Sequence, residues 1–132
     1  MSFLTDENDD IFTEMLNKFL PISKTEKGLN VVKRLIANLK CEAAQRMIIK
    51  TIEGSYIEFI EDNYCNYVTQ LVIKTWDEKV TRPLFDLIIG RIERFSIQRA
   101  SSNVVEIMVT YCPIEVKKAY FKEVTQMKNL NS

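Results

Sequence analysis

The sequence predicts an all-α solenoid, in which short helical units stack in a row, and two observations support this prediction. Three similar five-residue segments recur along the 132-residue chain, at residues 29–33, 66–70 and 102–106, so that their starts are 37 and 36 residues apart. Apolar residues around these segments fall at helical spacing, with no strong strand-like alternation to compete. Units of this length cannot bury an apolar face alone, so they are expected to stack on one another.

A second marker keeps the register of the repeats. Asn17, Gly54 and Gly90 each lie 13 residues before the second residue of the nearest following segment. Glycine and asparagine most readily adopt the left-handed conformation that ends a helix. We therefore expect the same helix end three times, with the extra residue of the first unit in a loop between positions 31 and 53.

Each unit is expected to hold three helices, of which the second carries the recurring segment. Pro83 is predicted to sit in the opening turn of one third helix, at about residues 81–89, and Pro113 to introduce another, at residues 116–124. Residues 11–16 are expected to form the last helix of a preceding partial unit. The predicted organisation is an acidic N-terminus with that helix at 1–16, units at 17–53, 54–90 and 91–127, and a polar tail at 128–132. We name these three units A, B and C.

The tail is too short and polar to cover unit C, so we expect the terminal face of that unit to be exposed. Some of three apolar side chains should lie on it, namely Tyr120, Phe121 and Val124.

Composition argues against several classes of function. Lysine and arginine balance aspartate and glutamate at 18 each, so any nucleic-acid site must be local. The chain has no histidine, and Cys41, Cys65 and Cys112 are far apart, which leaves no zinc motif, disulfide framework or common catalytic relay. We expect no enzyme activity, catalytic residue, metal, cofactor or small-molecule substrate. No signal-peptide pattern or membrane span is evident, so a cytoplasmic protein is predicted.

Helical geometry suggests how each recurring segment could bind a base. The first and fifth residues are four apart and share a face, so two polar side chains can meet one base edge. The second residue lies to one side, where it can stack on a base. The third and fourth, mostly valine, are expected to point towards the core.

The segments resemble the base-reading segment of Pumilio (PUF) repeats, and the resemblance extends over roughly residues 9 to 127. Asn66-Tyr67-x-x-Gln70, followed 36 residues later by Ser102-Asn103-x-x-Glu106, is the specific part of this likeness. The resemblance implies a right-handed, armadillo-like superhelix that binds single-stranded RNA. It also implies an antiparallel strand, so that 5′-G-U-3′ would be read as the last two letters of a UGU element.

The chemistry of the two segments agrees with that assignment. The Gln70 amide can accept from uracil N3–H and donate to one carbonyl, with Asn66 donating to the other carbonyl and Tyr67 stacking. The Glu106 carboxylate matches the two adjacent donors of guanine, N1–H and the N2 amino group. Ser102 is expected to add a hydrogen bond, and Asn103 to stack through its amide.

Unit A departs from the pattern. Leu29, Asn30 and Lys33 take its three reading positions, and Leu29 makes no base hydrogen bond, so no base is assigned to this unit. Asn30 and Lys33 remain weaker RNA-binding candidates. Phosphate contacts are expected from Lys24, Lys27 and Arg99, which lie near the reading helices.

The function implied by the resemblance is binding of messenger RNA, at 3′ untranslated sequences, to regulate translation or stability. Protein effectors would then bind the convex face or the exposed C-terminal unit. Two alternatives stay open. One is a protein-interaction scaffold of the HEAT or armadillo kind, and the other is a PUF relative in ribosome biogenesis that binds structured RNA without a base code.

Overall fold

A computed structural model describes the backbone of residues 6–127 and the side chains of residues 11–127. Every regular element within these residues is a helix, which confirms the predicted all-α class. In chain order the helices are α1 (Asp6–Ser23), α2 (Glu26–Asn38), α3 (Glu42–Gly54), α4 (Tyr56–Glu61), α5 (Cys65–Thr75), α6 (Glu78–Asp86), α7 (Ile92–Ser96), α8 (Arg99–Tyr111) and α9 (Ile114–Thr125).

The units repeat at a constant spacing of 36 residues. The third helices of units A, B and C begin at Glu42, Glu78 and Ile114. Buried residues of the second helices keep the same spacing in two sets, Val32, Val68 and Val104, then Ile36, Val72 and Met108. The prediction of an extra residue between positions 31 and 53 is therefore wrong, because the third helices and the buried residues of the second helices recur at equal intervals.

The first helix is longer than predicted. α1 runs without a break from Asp6 to Ser23, so it joins the expected leading helix to the first helix of unit A. Asn17 lies inside it, exposed, and the helix end predicted there is wrong. Phe12 and Phe19 are seven residues apart on one helical face, and both are buried. Packing of that continuous face outweighs the weak tendency of one asparagine to stop a helix.

The other predicted helix signals have mixed outcomes. Gly54 ends α3 but does not have the predicted left-handed φ, whereas Gly90 has φ of +83°, which confirms the left-handed prediction there. Pro113 directly precedes α9, as expected. The position predicted for Pro83 is wrong, because α6 already begins at Glu78 and Pro83 lies well inside it. The Asp77 carboxylate accepts from the backbone N–H of Lys79, 2.9 Å away, and this cap starts the helix early.

Helices that hold the same place in their units pack on one another. The second helices α2, α5 and α8 lie side by side, and the third helices α3 and α6 pack against each other. The short helix α4 of unit B packs against α8 of unit C, whereas α7 packs against α8 and α9 within unit C. The apolar core runs through all the units as one connected cluster. Stability is therefore spread over the interfaces between units, as a solenoid requires.

Two aromatic side chains connect neighbouring units through hydrogen bonds. The Trp76 indole N–H of unit B donates to the carbonyl of Ile36 in unit A, at 3.1 Å. The Tyr120 hydroxyl of unit C donates to the carbonyl of Phe85 in unit B. Burial raises the pKa of Tyr120, so the hydroxyl keeps the proton that it donates. Both bonds fix how one unit sits on the next.

A series of exposed or partly exposed ion pairs follows the same interfaces. Each joins one unit to its neighbour, and the pairs are Lys24–Glu58, Lys79–Glu42, Arg94–Glu61 and Arg82–Glu115. Solvent-exposed pairs contribute little stability individually. Their regular placement suits a role in the register of stacking rather than in its strength.

The terminal face of unit C is partly exposed. Phe121 and Val124 are exposed, as predicted, but Tyr120 is buried because it packs towards unit B. Across residues 6–127, no helix combines the length and apolar character needed to cross a bilayer.

Candidate nucleic-acid interface

The three recurring segments lie on the second helices, which make one continuous surface. Because α2 packs beside α5 and α5 beside α8, residues 36 apart occupy the same place in neighbouring units. We call this surface the reading face. It comprises the residues at the first, second and fifth positions of each segment. The pattern of buried residues decides which residues of unit A occupy these positions.

Burial corrects the predicted register of unit A by one residue. Leu29, predicted to read a base, is only 6% exposed and lies 36 residues before the buried Cys65. Val31, predicted to face the core, is 67% exposed, whereas Val32 is buried like Val68. The equivalent sets are Asn30, Asn66 and Ser102 at the first position, Val31, Tyr67 and Asn103 at the second, and Arg34, Gln70 and Glu106 at the fifth.

Arg34 is thus a member of the reading face that the sequence prediction missed. Lys33, placed there instead, is exposed but stands 36 residues before Thr69, which is buried in the core. Residues 29–32 and 102–105 have similar sequences, and matching them to each other caused this one-residue error. The constant spacing of Val32, Val68 and Val104 was the signal that could have corrected it.

Local capping fixes where the reading helix of unit B begins. The Asp62 carboxylate accepts from the backbone N–H groups of Tyr64 and Cys65, both at 2.9 Å. Partial burial disfavours its charged form, but these two bonds hold the pKa of Asp62 below its usual value. Burial raises the pKa of the Cys65 thiol to about 12, so Cys65 is a small packing residue rather than a reactive one.

In unit B the three predicted residues differ in accessibility. Tyr67 is 47% exposed, so its ring is available for stacking, and Gln70 is half-buried. Asn66 is only 2% exposed. The Gln70 Nε2 donates to Asn66 Oδ1 at 2.8 Å, so the two amides are already joined.

The hydrogen-bond partners of Asn66 disagree with its predicted role. Its Nδ2 donates to the carbonyl oxygens of Asp62, at 2.8 Å, and Asn63, at 2.9 Å. An amide nitrogen carries two hydrogens, and both are used here. Asn66 therefore has no donor left for a uracil carbonyl in this arrangement.

Unit C is more open. The Glu106 side chain is exposed and its carboxylate faces solvent, while Asn103 is half-buried. The Ser102 hydroxyl donates to the carbonyl of Arg99 at 2.9 Å, which leaves its oxygen lone pairs as acceptors. The negative charge of Glu106 is accessible to a ligand with two donors.

A cleft brings units B and C together. It has a volume of about 300 Å³ and opens between α5 and α8. Its lining includes four of the predicted RNA-binding residues together with two neighbours, and these are Asn66, Tyr67, Arg99, Asn103, Asn63 and Ala100. The cleft combines an aromatic ring, amides and a guanidinium, the groups that proteins use to hold an unstacked base.

The basic residues predicted to contact phosphate occupy two kinds of position. Lys27 and Arg99 are exposed at equivalent places near the starts of α2 and α8. Lys24 is instead paired with Glu58, and that hydrogen bond raises the pKa of Lys24. Its charge is partly matched within the protein, which makes it a poorer phosphate ligand than the other two.

Comparison with curated proteins finds relatives over most of the chain, although no family model matches it. A Pumilio domain-containing protein of Schizosaccharomyces pombe is 24% identical over 120 residues, covering 91% of this chain and 18% of the relative. A protein of Arabidopsis thaliana named pumilio homolog 8, chloroplastic, is 25% identical over 109 residues, covering 83% and 21%. This chain therefore spans about a fifth of the length of the curated relatives it matches.

Solved structures share the fold. PUF-6 in complex with an RNA matches 96% of this chain and 36% of its own, with a TM-score of 0.80 and 17% identity. The Puf3 RNA-binding domain, bound to the Cox17 RNA 3′ UTR recognition sequence site A, matches 93% and 36%, with a TM-score of 0.76 and 14% identity. At such identities the likeness concerns the fold, and it confirms the right-handed α-solenoid of three-helix repeats predicted from the sequence.

Proposed function

We propose that this chain, a Pumilio-type repeat protein, binds single-stranded RNA and reads one base with each unit. The observation that carries the proposal is the equivalence of Gln70 and Glu106 on adjacent reading helices, beside a cleft lined by Tyr67 and Asn103. An amide and a carboxylate thus occupy equivalent positions of neighbouring units, each near a side chain that can stack. They suit two different, consecutive bases.

Unit B is assigned to uracil. The Gln70 amide keeps its carbonyl oxygen and one N–H after bonding to Asn66. That donor and acceptor complement N3–H and an adjacent carbonyl of uracil. The half-exposed Tyr67 ring supplies the stacking surface, a contact that contributes about 1–3 kcal/mol per base.

Unit C is assigned to guanine. Two carboxylate oxygens of the exposed Glu106 suit the adjacent N1–H and N2 amino donors, and only guanine presents that donor pair on its Watson–Crick edge. Hydrogen bonds to a charged group are the stronger class. Ser102 supports the base as an acceptor, and Asn103 stacks through its flat amide.

With the corrected register, unit A also has a side chain that can form hydrogen bonds with a base. The Arg34 guanidinium offers only donors, so it suits a base edge with two adjacent acceptors. Cytosine, with N3 and O2, has that edge. With an antiparallel strand, the proposed order is 5′-G-U-C-3′, read by units C, B and A.

The biological role proposed is post-transcriptional regulation of messenger RNA in the cytoplasm, with no catalytic step. The Puf3 domain with the same fold was solved on a 3′ UTR recognition sequence, and this favours 3′ untranslated regions as targets. Effector proteins would bind the convex face or unit C, away from the reading face. With three readers, affinity for one short RNA should be modest.

The base code is testable with short RNAs that differ at one position. We expect an RNA with 5′-G-U-3′ to bind more tightly than versions with guanine changed to adenine or uracil changed to cytosine, because each change leaves a polar group unpaired. Fluorescence anisotropy at low salt measures the dissociation constants. Equal binding of all the sequences would contradict the assignment.

The salt dependence of RNA binding distinguishes this proposal from a protein-interaction scaffold. The scaffold is the alternative that the balanced charge of the chain favours. Each phosphate contacted should contribute a slope of about −0.7 to log K against log salt. Replacing Lys27 or Arg99 by alanine should reduce that slope. A flat salt response would instead favour the scaffold.

Arg34 should select the base that follows the uracil. We expect Arg34→Gln to lower the preference for G-U-C over G-U-U by about three- to tenfold, since a charged donor pair is lost. Lys33→Gln removes a charge from the adjacent exposed residue and serves as the matched control. If Lys33→Gln has the larger effect, then Lys33 rather than Arg34 occupies the reading position, as the sequence predicted.

A further inference from the structure

The terminal face of unit C, the side turned away from unit B, holds an apolar groove that stays open across residues 6–127. The groove has a volume of about 500 Å³, lies among α7, α8 and α9, and is lined mainly by apolar side chains. Phe121 and Val124 line it and are exposed. The residues 36 places earlier in unit B, Phe85 and Ile88, are buried. Unit B is followed by unit C, whereas the same apolar positions of unit C face solvent.

The rim of this face also differs from the rims between the units. Four charged residues form ion pairs with the following unit, namely Lys24 and Glu42 of unit A and Glu61 and Arg82 of unit B. The equivalent residues of unit C, 72 and 36 places later, are in the same order Ser96, Ile114, Ile97 and Lys118. Only the last of these is charged. Two isoleucines that are 73% (Ile97) and 66% (Ile114) exposed thus replace charged residues.

We propose that the terminal face of unit C binds the same face of a second copy of this chain and forms a twofold-symmetric dimer. A surface that pairs with itself must be self-complementary, and an apolar surface is so without any opposite charge. A unit of the kind that follows A and B brings a lysine, arginine or glutamate to these rim positions. Against Ile97 or Ile114 that charge would have no partner, which is costly when it is buried.

The opposite end of the solenoid fits the groove less well. α1 starts at Asp6, and the starts of α3, α6 and α9 follow at multiples of 36 residues, so the first half of α1 holds the place of a third helix. It packs against α2 and α3, and Phe12 is buried there. Residues 6–127 hold no second helix to accompany it. Because third helices pack on third helices and second on second, a head-to-tail contact would cover α9 and leave the groove beside α8 open.

The contact should be weak, because the face is the end of one three-helix unit. Small interfaces of this kind are transient, and we expect a dissociation constant of about 10–100 μM. Dilute samples then hold monomers in which Phe121 is exposed, and concentrated samples hold dimers.

Sedimentation velocity of the whole chain at about 5–500 μM tests the proposal. No RNA is present, so the result is independent of the proposed function. We expect the mass to rise from one chain to two. The test variant combines Ile97→Glu with Ile114→Glu, because the equivalent residues of unit B are already glutamates, Glu61 and Glu78. Burial of these charges is costly, so the dissociation constant should rise by at least about tenfold.

Ile11→Glu is the matched control. Ile11 is also an exposed isoleucine, but it lies at the opposite end of the solenoid, so its replacement should leave the dimer intact. Added salt gives a second readout. The symmetric contact brings two Lys118 rims together, so salt should preserve or strengthen it. A head-to-tail contact would bring the acidic sequence at the start of α1 to the lysines of α9, and salt would weaken it.

Three results would overturn the proposal. In the first, the unchanged chain stays monomeric at the highest concentration, which leaves the face to another protein or to a further segment of a longer chain. In the second, the doubly substituted variant dimerises as before. In the third, Ile11→Glu abolishes association or the mass grows past two chains, as a head-to-tail contact requires. Circular dichroism checks the fold of each variant, and Ile97→Glu alone replaces the double variant if that one is unfolded.

Discussion

Replacing Phe85 by alanine is expected to lower the free energy of unfolding by about 3–5 kcal/mol, the range for a buried phenylalanine. Phe85 lies on α6, is 1% exposed, and belongs to the connected core. The substitution removes the ring and leaves a cavity in that core. Urea unfolding, followed by circular dichroism at 222 nm, measures the change.

Phe121→Ala is the matched control for this prediction. Phe121 is the same residue type, 36 residues later at the equivalent position of unit C, but it is 57% exposed. We expect its removal to change the free energy of unfolding by no more than about 0.5 kcal/mol, as for most surface substitutions. Similar losses for both variants would mean that Phe121 is covered in solution.

The second large effect should come from exchanging the reading residues of unit C for those of unit B. Changing Ser102 to Asn, Asn103 to Tyr and Glu106 to Gln is expected to convert the guanine preference of unit C to a uracil preference. The variant loses hydrogen bonds to a charged group, about 1.5–3 kcal/mol, so guanine binding should fall roughly ten- to a hundredfold. Competition between 5′-G-U and 5′-U-U RNAs measures the exchange.

The uracil preference of unit B is the internal control for this exchange, because Asn66, Tyr67 and Gln70 are unaltered. It should persist in the triple variant. An unchanged preference for guanine would refute the base assignment of unit C. Loss of both preferences together would point to a folding defect.

Much of the fold follows from local physical chemistry, and the sequence predicted that part. Helical spacing of apolar residues and the recurrence of the segments were enough to predict the all-α solenoid. Gly90 has the predicted left-handed backbone and Pro113 directly precedes α9 as predicted, although the same kind of reasoning misplaced Pro83. The segments of units B and C were also found in the right register.

The errors arose where packing over several turns decides the outcome. α1 continues past Asn17 because Phe12 and Phe19 bury the same face, and neither residue marks a boundary alone. The assignment of reading positions in unit A depends on which valine is buried, Val31 or Val32. The two are the same residue type, so residue type alone does not distinguish them. Both N–H groups of the Asn66 amide are used because two backbone carbonyls lie within hydrogen-bonding distance. Residue types alone do not predict where those carbonyls lie.

The side-by-side packing of α2, α5 and α8 also sets a length scale. Packed helices lie about 8–10 Å apart, whereas neighbouring bases in a stacked helical strand are separated by about 3.4 Å along the axis. A strand that gives one base to each helix must therefore be stretched until its bases no longer touch. The gap left between two bases has room for one more flat group, and under the proposed function Tyr67 and Asn103, which both line the cleft between α5 and α8, would supply such groups. A rigid duplex cannot stretch in this way, so the spacing of the helices would select single strands before any base is recognised.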